Sequence, residues 1–125
     1  MADLPAPRGL MLSDDLIFVS RVAGAAQALG LHVQAARNAP ILLDLARRSP
    51  PRCILIDLHN PGLDLPALLG SLREVCPTMP RVVAYGSHVE AALLHAARTA
   101  GCDLVLPRSR FVEELPASLA AWLGP

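Results

Sequence analysis

The side chains of this chain that could do chemistry gather around one carboxylate. In CILIDLHNPGLD, residues 53–64, four apolar residues run into Asp57 and a Pro-Gly turn follows. A continuous apolar run between breakers is the pattern of a strand covered on both faces. Asp57 is therefore expected at the carboxyl end of a buried strand, either as a chemical group or as a strand-ending residue. Ser20 with Arg21, Gly86 with Ser87, and Arg108 with Ser109 each follow another apolar run directly, and His59 and His88 fall near the same rim. Arginines beside a carboxylate would hold it ionised, or would grip the phosphate or carboxylate of a ligand. The spacing of the histidines makes no metal site, and loop histidines are ordinarily solvated. Asn60, beside Pro61 and Gly62, reads as a turn residue. No metal and no cofactor is expected.

Other chemistries lack their motifs. There is no P-loop, no G-x-S-x-G elbow and no G-x-G-x-x-G after the first expected strand. The chain is not expected to be an enzyme. Acidic and basic residues balance at 11 each, so no global field draws the protein to DNA or to an anionic membrane. All the basic residues are arginine. The aromatic set is Phe18, Tyr85, Phe111 and Trp122, too sparse for a base-stacking platform. Cys53, Cys76 and Cys102 are isolated, which suits buried thiols in a reducing compartment. No apolar stretch is long enough to cross a bilayer. The expectation is a soluble cytoplasmic protein that binds neither nucleic acid nor membrane.

These residues need a scaffold, and the chain alternates strand and helix patterns. The apolar runs LIFVS (16–20), LHVQA (31–35), RCILIDL (52–58), RVVAYG (81–86) and DLVLP (103–107) read as strands. Helices are expected between and after them, over 21–30, 39–49, 65–76, 88–101 and 111–123. Asn38 and Asp64 are placed to cap the second and third of these, with Pro40 and Pro66 in the first turns. Gly30 and Gly101 suit helix ends, and Pro116 should bend or delay the last helix. Five such units with short connections predict a single doubly wound α/β domain with a parallel sheet. Residues 1–13 are expected to be a loose N-terminal extension and 14–125 the domain. On this reading Asp14 and Asp15 precede the first strand and lie at the opposite edge of the sheet from Asp57.

CILIDLHNPGLD, followed by RVVAYGSHVEAALLHAARTAGCDLVLPRSRFVEEL, resembles the second half of the receiver domain of two-component response regulators. The resemblance implies a flavodoxin-like sheet of order 2-1-3-4-5, a phosphorelay context, and Asp57 at the phosphoacceptor position. It places the family's hydroxyl at Gly86 or Ser87, its lysine at Arg108, the proline after that lysine at Ser109, and its aromatic switch at Val105. Receivers hold Mg²⁺ with an acidic pair directly after the first strand. With LIFVS as that strand, the corresponding residues are Ser20 and Arg21, which implies a degenerate, or pseudo-, receiver. The expected function is a stand-alone signalling domain acting through contacts with a protein partner, such as a signalling protein or kinase, or through homodimerisation by residues 89–123. The alternatives are an anionic-ligand sensor at a rim of Arg21, Asp57 and Arg108, and a conventional phosphoacceptor at Asp57.

Overall fold

A computed structural model describes residues 7–124. Its strands are β1 (Gly9–Leu12), β2 (Val33–Ala36), β3 (Cys53–Asp57), β4 (Arg81–Gly86) and β5 (Leu104–Pro107). Its helices are α1 (Leu16–Ala28), α2 (Ala39–Arg48), α3 (Leu65–Val75), α4 (Ala91–Ala100) and α5 (Arg108–Leu123). The strands form one parallel sheet of order β2-β1-β3-β4-β5, the doubly wound arrangement that the alternation predicts.

The first unit differs from its sequence reading. LIFVS is the start of a helix, and the first strand is GLML, inside the segment expected to be loose. Two interactions explain this. The Asp15 carboxylate accepts hydrogen bonds from the backbone N–H groups of Ile17 (3.0 Å) and Phe18 (3.3 Å), an N-cap that starts a helix at Leu16. All four residues of β1 are buried between β2 and β3, so the boundary at residue 13 cuts off a central strand. Gly9 allows this close fit, since a Cβ there would lie 2.5 Å from Leu123 Cδ2.

Alternate side chains of the sheet enter two cores, as the period of two requires. Leu10, Leu12, Ile54, Ile56, Val82 and Ala84 pack with residues of α2, α3 and α4. Met11, Cys53, Leu55, Val83 and Tyr85 pack with residues of α1 and α5. On that second face the four aromatics form one column, Phe18–Tyr85–Phe111–Trp122. Successive ring centroids are 5.3, 4.3 and 5.9 Å apart. Offset contacts of this kind add to the area the rings bury. The helix α5 starts at Arg108, earlier than expected, and continues through Pro116. Among the described residues no helix is long and apolar enough to cross a membrane.

Candidate functional site

The strand order reverses between β1 and β3, and the crevice above their carboxyl ends is where a doubly wound sheet binds ligands. Asp57 ends β3 there and is only 5% exposed. Ser13, the residue directly after β1, is equally buried. Its hydroxyl donates to Asp57 Oδ2 at 3.0 Å, while the same Oγ accepts from the Asp15 N–H at 3.0 Å. The other carboxylate oxygen, Oδ1, accepts from the backbone N–H of His59 at 2.9 Å. Both oxygens thus have a neutral donor.

The loop after β3 is tied on two sides. Asn60 Nδ2 donates to the Arg37 carbonyl at 3.1 Å, which anchors it to the loop after β2. The Ser87 N–H donates to His59 Nε2 at 2.9 Å, which anchors it to the loop after β4. Gly86 lies against that second contact. A Cβ at this position would stand 3.3 Å from Leu94 Cδ2 and 3.4 Å from His59 Nε2, so a side chain would press on both. The Asn60 turn is a structural joint, and His59 is more than a solvated loop residue.

The arginines do not meet Asp57. Ser20 and Arg21 lie exposed on α1 and are not at the rim, because the residues read as strand are helical. Arg108 opens α5 with its guanidinium carbon 5.5 Å from the centroid of the Phe18 ring, a cation–π position. Its Nε is buried and has no hydrogen-bond partner among the described residues. The ion pairs among the described residues are Arg48–Asp44 and Arg110–Glu114, both on helix surfaces. The rim of Arg21, Asp57 and Arg108 therefore does not form, and Asp57 has no guanidinium bridge. His88 and Ser109 are exposed, and His88, Ser109, Ser87, Arg108 and Phe18 line a shallow hollow beside the site. Tyr85, stacked between Phe18 and Phe111, brings its phenol close to the same carboxylate. Burial, and then the charge of Asp57, raise its pKa.

Asp14 and Asp15 also move relative to the sequence reading. They follow β1 and stand at the same edge as Asp57, not at the opposite one. The residues after the first strand are thus Ser13, Asp14 and Asp15, and the positions corresponding to the receivers' acidic pair are not Ser20 and Arg21. A hard cation needs oxygen ligands with capacity to spare. Ser13 Oγ already accepts the Asp15 N–H while donating to Asp57, and one oxygen of Asp15 accepts from the first turn of α1. Among the described residues no three His, Cys, Asp or Glu side chains converge as a metal site. Asp14, the residue between Ser13 and Asp15, is exposed and takes no hydrogen bond among the described residues. The signal sequence reasoning missed was Asp15, an N-cap residue immediately before an apolar run.

No family model matches the chain, and no curated protein does. Solved structures match along nearly its whole length. A response regulator from Thermotoga maritima is 18% identical with a TM-score of 0.77, covering 95% of this chain and 98% of its own. The receiver domain of NtrX from Brucella abortus is 22% identical with a TM-score of 0.77, covering 92% and 97%. A response regulator from Burkholderia pseudomallei, solved with a phosphorylated aspartic acid, calcium ion and citrate, is 25% identical with a TM-score of 0.74, covering 93% and 66%. These likenesses establish the flavodoxin-like receiver fold.

Proposed function

We propose that the chain is a receiver-type signalling domain that acts through protein contacts, with Asp57 as a structural acceptor and not a magnesium-dependent phosphoacceptor. The observation that carries this reading is the hydrogen bond from Ser13 to Asp57. A phosphoryl group in transfer spreads negative charge over its oxygens, so a cation and fixed positive groups must already face the carboxylate. At Asp57 the donors are a hydroxyl and a backbone N–H, and the arginine at the lysine position faces Phe18. The proposed output surface is the side formed by α4, β5 and α5, whose exposed positions on α4 include Ala91, His95 and Arg98.

One observation favours a second reading. Asp14 is exposed at the same edge, and a carboxylate there could join Asp57 on a hydrated cation that keeps most of its waters. Incubation with acetyl phosphate and Mg²⁺, followed by intact-mass spectrometry, separates the two. The proposed reading expects no adduct. A stoichiometric phosphoryl adduct that disappears in Asp57→Asn would overturn it and establish the second.

A further inference from the structure

The net charge of zero conceals a polarity. The carboxyl edge of the sheet carries Asp14, Asp15 and Asp57 beside Arg37 and Arg108, and the amino edge carries Arg8, Arg52 and Arg81 against Asp103. Arg8, Arg52 and Arg81 stand side by side where β1, β3 and β4 begin. The Arg52 N–H donates to the Arg8 carbonyl at 2.8 Å, and the Arg81 N–H donates to the Arg52 carbonyl at 2.9 Å. Below this row is an open cleft of about 520 Å³ whose lining includes Arg52, Arg73, Arg81, Met79 and Asp103. Among the described residues, three guanidinium groups share it with one side-chain carboxylate.

From this convergence we infer that the amino-edge cleft is a binding site for a small multivalent anion of the phosphate or carboxylate class, separate from the Asp57 crevice. Exposed arginines are ordinarily solvated one by one, but here the fold holds them around a concavity. Arg81 is fixed because its NH1 donates to the carbonyls of Ala121 (2.7 Å) and Trp122 (3.1 Å) at the end of α5. Asp103 is held by the Val82 N–H on its Oδ2 at 2.8 Å, which leaves it little freedom to fold onto the arginines. Among the described residues no hydrogen bond or ion pair engages the side chains of Arg52 and Arg73.

Arg73 reaches the cleft over Gly101. That glycine closes α4 with φ of 113°, and a Cβ there would lie 3.3 Å from Arg73 NH2. The left-handed conformation and the close approach both favour glycine. The loop walls are stiff as well. Pro50, Pro51, Pro77 and Pro80 line an adjoining hollow that shares Arg52, Met79 and Pro80 with the cleft. Prolines restrict the backbone before binding, so less order is lost when a ligand arrives. Forked guanidinium groups match phosphate and carboxylate oxygens two at a time, and a cleft of this size suits a small molecule.

Titration with inorganic pyrophosphate, and separately with citrate, at constant ionic strength and followed by amide chemical shifts, tests the site. The expected result is saturable shifts around Arg52, Arg73, Gly101 and Asp103 with at least one of the two anions. Either anion binding alone identifies which oxyanion class the cleft takes. Affinity should fall about tenfold or more in Arg52→Gln and in Arg73→Gln, as loss of a charge-assisted contact requires. Both side chains are exposed, and the shifts of residues far from the cleft report whether each variant is folded. Asp57→Asn should bind as the parent does, which keeps this inference independent of the role of Asp57. Absence of saturable shifts up to about 10 mM, or equal binding by the parent and both arginine variants, would overturn it.

Discussion

Ser13 and Asp57 are 44 residues apart in sequence, and the Ser13 hydroxyl donates to the Asp57 carboxylate at 3.0 Å. The contact joins the ends of β1 and β3, the strands that flank the switch point, and both residues are buried. It also fixes the loop after β1, because the same oxygen receives the Asp15 N–H and Asp15 then caps α1. One hydroxyl therefore links the carboxylate to the start of the first helix.

Ser13→Ala removes a donor from a buried carboxylate and an acceptor from the Asp15 N–H. The expected cost is about 1–3 kcal/mol of stability, read as a lower urea midpoint with an unchanged slope. Ser13→Asp should be worse in the absence of divalent ions, since two carboxylates would meet at the same spot. If Mg²⁺ restores the stability of Ser13→Asp and has no effect on the parent, the serine is what keeps the cation away.

Asp57→Ala strands two donors, the Ser13 hydroxyl and the His59 N–H. The expected loss is about 1–3 kcal/mol for each buried group left without a partner, larger than an ordinary surface change. A phosphoacceptor crowded by other acids behaves in the opposite sense, because removing one of several like charges relieves repulsion. Urea melts near neutral pH read the sign. An Asp57→Ala variant more stable than the parent would contradict the structural role proposed for this carboxylate.

Most of the scaffold was legible because its signals are local. Asn38 and Asp64 cap α2 and α3 as their types and positions predict, accepting from Ile41 and Ala67 N–H groups at 3.0 and 3.1 Å. The apolar run ending in Asp57 is a strand buried at every position. The first strand, GLML, is no shorter than β2 or β5, but it was not legible because a second apolar run stands just after it. LIFVS carries more strand-forming side chains than GLML, and the cap at Asp15 outweighs that composition. That single misplacement carried the site with it. It put Ser20 and Arg21 at the rim and removed Ser13, Asp14 and Asp15 from it. The aromatic column and the arginine cleft depend on tertiary approach, which no local pattern encodes.

The cysteines predict an alkaline limit to stability. Burial raises the Cys53 thiol to about 12 and, with help from Asp103, the Cys102 thiol to about 11, from an ordinary value of 9.0. Above pH 9 the unfolded chain releases these protons first, so it binds fewer than the folded chain and unfolding becomes easier as pH rises. The contribution is fully present below about pH 9 and is lost as pH climbs toward 11 to 12. Urea midpoints measured from pH 8 upward should fall through that window, and Cys53→Ala should flatten the fall. The Cys53 thiol should also resist alkylation at pH 8 in the folded protein, because it is buried and protonated.

Association is expected through the side formed by α4 and α5. Ala91 and His95 are exposed on α4 one turn apart, on the stripe of Arg98, whose NH2 meets the Val105 carbonyl of β5, whereas Ala96 faces the start of α3. Light scattering over a range of concentrations should show a dimer that Ala91→Arg and His95→Glu disrupt. A strict monomer at every concentration, with both variants behaving as the parent does in cells, would remove this face from consideration.

The last prediction concerns the joint between the loops after β3 and β4. His59 Nε2 accepts the Ser87 N–H at 2.9 Å, so the imidazole holds the beginning of the loop that leads into α4. That bond is at the surface, and its loss should loosen the loop without disturbing the core. His59→Ala removes the acceptor but keeps the backbone N–H that serves Asp57, so the carboxylate retains both its donors. Hydrogen exchange at the Ser87 amide should then be roughly fivefold faster, the equivalent of about 1 kcal/mol of protection. Amides of β3 should exchange at the parent rate. His59→Gln offers a side-chain oxygen at similar reach and should recover part of the protection. If Ser87 exchanges equally fast in the parent and in His59→Ala, the imidazole is not holding the loop. If β3 loosens as well, His59 supports the whole Asp57 crevice rather than this joint alone.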